Sequence, residues 1–184
     1  MTGEAEATVP SVAHPLSARG RWLAFGLALG VAALDLWSKA AVFAQLADGQ
    51  RRWIAGRWLA LAAVKNPGVM WGALPQASML LPWLRAGAAV AVIVMLCGTH
   101  PRARTTLVAL GLVLGGAVGN VFDGFAYGAV RDFILVDLGI KFFDPFPVFN
   151  VADSAICVGV GLLALSMARD RPEAAEPTAP APPV

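Results

Sequence analysis

The stretch FNVADSAICVGVGLLALS, residues 149–166, is an apolar run whose first turn carries an amide and a carboxylate, Asn150 and Asp153. From Ala155 onward it holds no charged side chain, and 148–168 as a whole approaches the ~20 residues that a helix needs to cross a ~30 Å hydrocarbon core. Two of the groups that a bilayer tolerates least therefore stand at the mouth of a segment built for one. Asn150 is placed to act as N-cap, and Asp153 then lies in the first helical turn, where a carboxylate meets the positive end of the helix dipole. That accounts for a polar helix start. Whether the start also does chemistry depends on what the rest of the chain brings to it.

Three more runs of this kind precede it: WLAFGLALGVAALDLW at 22–37, LLPWLRAGAAVAVIVMLC at 80–97 and TTLVALGLVLGGAVGNVF at 105–122. With 58% hydrophobic and 14% charged residues among 184, and a mean hydropathy of +0.66, the chain is too apolar for an ordinary soluble domain. The fold class expected is an all-α membrane protein with four transmembrane helices, forming one unit at 19–171. Flanking tails at 1–18 and 172–184, rich in Ala, Pro, Glu and Thr, bury too little apolar surface to fold. The first run is read as a retained span rather than a signal peptide, because Asp35 and Lys39 follow its apolar stretch directly and no small-residue cleavage site stands out. A net charge of +2 without a basic block interleaved with aromatics gives no case for nucleic acid. Cys97 and Cys157 sit inside apolar runs with no His or Cys neighbour at ligand spacing, so neither a disulfide framework nor a metal site is expected.

The short loop GTHPRAR, 98–104, carries Arg102 and Arg104, and the positive-inside rule places it, and with it both termini, on the cytoplasmic side. Raw counting does not decide the matter, since six Lys and Arg then fall inside and eight outside. Two longer connections, 38–79 and 123–147, meet on the outer face. The first mixes basic, β-branched and aromatic residues around a Pro-Gly turn and predicts short strands at the membrane surface, a small extracytoplasmic cradle. The second, read over GAVRDFILVDLGIKFFDPFPVF, alternates charge with apolar residues and predicts an interfacial element, and the two connections together predict a lid or cradle over the helices.

Polar residues at membrane depth carry most of the information. Asp35 and Lys39 are four apart on one helical face and close enough to pair, which on its own reads as an interfacial ion pair ending the first span. Asn120 and Asp123 end the third run, after Gly111, Gly115 and Gly119 at the small-xxx-small spacing that lets another helix pack closely, within the chain or in a second copy. Those two read equally as a packing seam with a polar end and as part of a site. Asp132 in the second connection and Asp153 at the fourth span are placed to meet at one apolar-walled site. Two carboxylates sharing such a site do not readily both ionise, and so divide the roles of base and acid around one water. His14 and His100 lie away from these motifs, and Ser38 and Ser154 have no base beside them, so nucleophilic catalysis finds no support.

In chain order, DLWSK, NPGVMWG, GNVFDG, GAVRDFI and FNVADS, spread over residues 35–154 between four apolar runs, resemble the blocks of the lipoprotein signal peptidases, or signal peptidase II. The resemblance implies four helices, a periplasmic β-cradle and an aspartic dyad near the outer face of the bacterial cytoplasmic membrane. It also implies a reaction that needs no cofactor: cleavage of a prolipoprotein just before its diacylglyceryl-cysteine, among membrane lipids. Carried over by position, the catalytic pair is Asp132 and Asp153. Asn66, Gly68, Asn120, Asp123 and Asn150 fall on substrate-binding positions, and Asp35 with Lys39 on supporting ones. Two departures stand out. Gly124 occupies the place where the family has an arginine, which leaves Asp123 without the expected partner unless Arg131 supplies the charge from another position. Met70-Trp71 replaces a small residue and Phe. Two other classes stay open at this point: a small transporter, which also uses intramembrane carboxylates, and a relative that binds lipoproteins without cutting them.

Overall fold

The computed structural model describes residues 19–68, 77–100, 103–137, 139 and 146–169. Four helices are long and apolar enough to cross a membrane: α1 Arg19–Phe43, α2 Ala77–Gly98, α3 Arg104–Tyr127 and α4 Val151–Arg169. All four apolar runs are thus helices, each longer than its run at one end or both. The extension matters for α1 and α3, because it carries Lys39 and Asp123 inside the helices rather than into the connections. Both side chains are fully buried, so the Asp35–Lys39 pair is not the interfacial ion pair that its spacing suggested.

Helix α3 is the hub and packs along α1, α2 and α4. Its glycines make this possible. A Cβ on Gly111 or Gly115 would run into the backbone carbonyls of Ala24 and Ala28 on α1, and one on Gly119 into the carboxylate of Asp35. A second row serves α4, with Gly116 against Ala152 and Ile156, and Gly159 of α4 against Ala109 and Val113. The glycine ladder is therefore a seam within one chain, where close backbone approach replaces the hydrophobic drive that lipid removes. Ala24, Ala28, Ala89, Leu96, Leu107, Leu110 and Leu114 fill the layer between the helices. Large apolar side chains such as Leu29, Trp37, Trp83 and Met167 point outward, as they must where the solvent is hydrocarbon. Gly128 ends α3 in the left-handed conformation (φ 68°), its N–H returning to the Gly124 carbonyl.

The connections form a three-stranded antiparallel sheet in the order β1-β2-β3: β1 Arg51–Ala55, β2 Leu59–Asn66 and β3 Val130–Val136. The first connection behaves as its sequence indicated. In the second, Val130–Val136 pairs with β2 as the third strand of the cradle. It is buried along most of its length rather than on alternate residues, because both faces of the sheet find cover. Ala63 and Phe133 pack on Val42 and Leu46 below one face, while Ala60, Ala62 and Leu135 meet Trp53 and Val148 on the other. Met70, Trp71, Arg102 and both tails lie outside the described residues.

Candidate active site

One short bridge brings the site together. The N–H groups of Phe133 and Ile134 both reach the Phe149 carbonyl, and the Phe149 N–H returns to Ile134. This lays the start of α4 against β3 and sets Asn150 beside Asp132. Asn150 then caps α4 reciprocally with Asp153. The Asp153 N–H donates to Asn150 Oδ1 at 2.9 Å, and the Asn150 N–H donates to Asp153 Oδ2 at 3.3 Å. This is the capping-box arrangement with an aspartate at the third helical position. Another first-turn donor, the Ala152 N–H, goes to Asp35 Oδ1 on α1 at 2.9 Å. The polar start of α4 is thus a helix cap and part of the site at once.

The two carboxylates are reached by three asparagines from three different elements. Asn66, diagonal to Asp132 across the β2–β3 pair, donates to Asp132 Oδ2 at 3.0 Å. Asn150 Nδ2 donates to Asp132 Oδ1 at 2.6 Å, and Asn120 Nδ2 donates to Asp153 Oδ1 at 2.8 Å. Which end of each amide faces the carboxylates follows from its other partner. The oxygen of Asn66 accepts from the Gly68 N–H, that of Asn150 from the Asp153 N–H, and that of Asn120 from the Lys39 ammonium. All three partners only donate, so each must hold an oxygen and each amide nitrogen is left for an aspartate. Gly68 reaches Asn66 from a positive φ of 80°, in a place where a Cβ would strike Leu81 and Arg85 of α2.

Beneath this ring lies a buried charge network. The Lys39 ammonium has three N–H groups and three oxygens around it: Asp35 Oδ2 at 2.6 Å, Asp123 Oδ2 at 3.1 Å and Asn120 Oδ1 at 3.0 Å. The approach to Asp35 is an ion pair whose angle is not that of a hydrogen bond. Asp123 is saturated from the other side by Arg131, whose Nε and Nη2 converge on Oδ1 at 3.0 and 2.7 Å and whose backbone N–H reaches Oδ2 at 2.9 Å. Tyr127 covers the Arg131 guanidinium, its ring centroid 4.2 Å away. Of the two alternatives for Asp123, the structure shows the second: Arg131 supplies the charge from another position. Gly124 leaves no vacancy, because its face is occupied by Pro82 of α2, and the arginine comes from β3 instead.

Asp132 is 2% exposed. Burial pushes its carboxyl from 3.8 up to about 6; the Asp153 charge adds to the rise, while the Asn66 and Asn150 amides and Lys39 oppose it. Asp132, Asp153, Asn66, Asn120 and Asn150 form one hydrogen-bonded set, and Gly68, Asp35, Lys39 and Asp123 each make a direct bond to it or to its immediate supports. Arg131 was legible as a candidate substitute partner for Asp123, though not as a residue of a strand. The signal that would have found it is an arginine inside an otherwise apolar strand, next to an aspartate, eight residues from Asp123. Ser38 and Ser154 return their hydroxyls to carbonyls of their own helices, at Asp35 and Asn150, and take no part in the ring.

Known proteins share this arrangement of sequence and fold. A family model described as signal peptidase (SPase) II matches residues 27–169. A lipoprotein signal peptidase of Halalkalibacterium halodurans is 34% identical over 80% of this chain and 93% of its own length. One of Shouchella clausii is 38% identical over 79% and 92%, and one of Burkholderia cenocepacia is 38% identical over 77% and 84%. A bacterial membrane enzyme solved by the in meso method at 1.9 Å superposes with a TM-score of 0.73 over 82% of this chain and 95% of its own, at 24% identity, which is a likeness of fold. With the match running from the first membrane helix to the end of the fourth, the chain belongs to the signal peptidase II family.

Proposed function

We propose that this protein is an intramembrane aspartic endopeptidase that removes the signal peptide of a lipid-modified prolipoprotein by hydrolysing the peptide bond before the diacylglyceryl-cysteine. The observation that carries the proposal is the hydrogen-bonded ring in which Asn150 touches Asp132 through its side chain and Asp153 through its backbone. Asp153 is the base. Both of its oxygens accept N–H bonds, and it stands in the first turn of α4, where the helix dipole favours negative charge. Asp132, with its carboxyl raised to about 6, is the group that keeps a proton. Asp153 takes one proton from a water as the oxygen attacks the scissile carbonyl, and Asp132 hydrogen-bonds the carbonyl oxygen. As the C–N bond breaks, a carboxylic acid of the pair protonates the leaving amine, and the dyad returns to one shared proton. Asn66, Asn120, Asp123 and Asn150 align the carboxylates, and Gly68 and the cradle end beside it border the path of an extended substrate backbone. The diacylglyceryl group stays among lipid tails, beside the outward-facing apolar surface of the helices.

The same reading places the protein in the bacterial cytoplasmic membrane with both termini inside and the dyad toward the outer face. Support comes from the end of the bundle opposite the sheet, where Arg19 and Arg21 of α1 and the cleft between Arg104 and Arg169 gather basic side chains. The test is a reconstituted cleavage assay with a diacylglyceryl-modified precursor and its unmodified counterpart. Release of the signal peptide from the modified precursor alone is expected. Failure to cut, combined with movement of a solute across liposomes, would overturn the peptidase reading in favour of a transporter.

A further inference from the structure

Of the three donors within 3.0 Å of the asparagine oxygens, two are backbone N–H groups, those of Gly68 and Asp153, and one belongs to a side chain. That one is Lys39. Its ammonium can only donate, so its 3.0 Å contact forces the oxygen of Asn120 toward α1 and the amide nitrogen toward Asp153. Without it, the remaining donor to that oxygen is the second N–H of Asn150 Nδ2, at a long 3.4 Å, while the first bonds Asp132 at 2.6 Å. The amide of Asn120 would then be held in this orientation by that one long bond, and could more readily turn to present an oxygen to the Asp153 carboxylate.

We propose that Lys39 is a positioning residue of the dyad: through Asn120 it fixes a hydrogen-bond donor on Asp153 and so determines how that carboxylate meets the attacking water. The proposal rests on the dyad reading above and assigns Lys39 a task beyond neutralising its neighbours. Charge balance alone does not need the Asn120 contact, since Asp35 and Asp123 already lie within 3.1 Å of the ammonium. The charged groups bordering the pair are Asp35 and Lys39 from α1, Asp123 from α3, and Arg131 and Asp132 from β3; β2 contributes the neutral Asn66, and Arg85 of α2 lies beside Gly68.

The test separates donation from charge. Asp35→Asn/Lys39→Gln and Asp35→Asn/Lys39→Met each remove one charge of each sign, and the asparagine keeps an oxygen for the Ala152 N–H. They differ in whether position 39 has an N–H to offer Asn120. The Gln variant should keep kcat within about tenfold of wild type and the Met variant should lose about a hundredfold, with KM changed little in both. The pH profiles of the Gln and Met variants should differ, because only the Gln variant keeps an N–H that holds the Asn120 donor on Asp153. Asn120→Asp is the independent arm. It puts an acceptor against Asp153 at neutral pH, and its activity should recover as pH falls and the new carboxyl regains an O–H donor. Equal kcat and pH profiles in the Gln and Met variants, or an Asn120→Asp enzyme with wild-type activity at pH 7, would overturn the proposal. Asp132→Asn and Asp153→Asn, run in parallel, keep the two readings apart: activity in either removes the dyad itself, whatever position 39 does.

Discussion

Pro82 of α2 lies across Gly124 of α3 so closely that a Cβ at position 124 would stand 3.0 Å from its Cγ. Pro82 belongs to the early part of α2, and its ring fills the place that a side chain on α3 would take. Restoring the arginine that the family pattern carries after Asp123 should therefore not improve the enzyme. Gly124→Arg is expected to lower the melting temperature in detergent by the equivalent of about 1–3 kcal/mol, as over-packing of a core does, and to reduce cleavage. Gly124→Ala should be milder in both. An arginine variant with wild-type stability and faster cleavage would show that α2 moves aside.

Arg131 gives the complementary prediction. Its side chain makes two bonds to one oxygen of Asp123 at a site 8% exposed on the arginine side and 0% on the aspartate side. Arg131→Ala leaves that charge to Lys39 alone and should cost about 3–5 kcal/mol. Arg131→Ala/Asp123→Ala should cost less than the two single changes added together. Chemical or thermal unfolding of the four proteins in one detergent measures the coupling.

For the dyad, Asp132→Asn and Asp153→Asn should each reduce cleavage by at least about a hundredfold, the usual worth of a positioned acid or base. Because Asp132 must hold a proton, the wild-type kcat/KM should fall on the alkaline side, with an apparent pKa that starts from the resting value of about 6 and belongs to the pair. In the profile of kcat, which reports the enzyme–substrate complex, substrate that excludes further water moves the limb higher. A flat profile up to pH 9 would assign the proton-holding role elsewhere.

Stability has its own pH dependence at this residue. The Asp132 carboxyl titrates at 3.8 when unperturbed and at about 6 in the folded protein, so the folded state binds the proton more tightly. Wild type therefore gains stability as pH falls through about 6, and the gain is complete below 3.8. The shift corresponds to about 3 kcal/mol. Asp132→Asn has no such group, so the melting temperature of wild type minus that of the variant should rise between pH 7 and pH 4. Parallel curves would mean that Asp132 does not titrate in this range.

The glycine seam is testable without any assay of activity. Gly116 faces the Ala152 carbonyl, and a Cβ there has backbone in its way rather than a flexible side chain. Gly116→Val should separate α3 from α4, unfold more easily and lose the Asn120–Asp153 contact with it. A Cβ on Gly26 or Gly30 would meet nothing within 4 Å, so Gly26→Ala and Gly30→Ala should each leave stability within about 0.5 kcal/mol.

The fold was legible because hydrocarbon solvent imposes a strong pattern: roughly 17 to 25 apolar residues per span leave little ambiguity. That Asp132 and Asp153 come together with the asparagines was legible for the opposite reason, since carboxylates beside such spans need an explanation. What escaped was depth and pairing. The Asp35–Lys39 spacing showed that the two could meet, but only the extension of α1 to Phe43 shows them fully buried. The β3 alternation fits an interfacial segment and a strand equally well, and pairing with β2 decides between them. The sequence raises Arg131 as the partner of Asp123 in place of an arginine at 124, but spacing alone does not decide it. Gly124 meets α2 and Arg131 comes from β3, and neither contact is local along the chain.

The hydrogen bond from the Ala152 N–H to Asp35 joins residues 117 apart, in the first and last membrane helices. Because α1 precedes α4 along the chain, until the last helix is made Asp35 lacks the Ala152 N–H and the protein lacks Asp153 altogether. Both arrive in the first turn of α4, so the carboxylate pair proposed as the dyad is complete only with that helix.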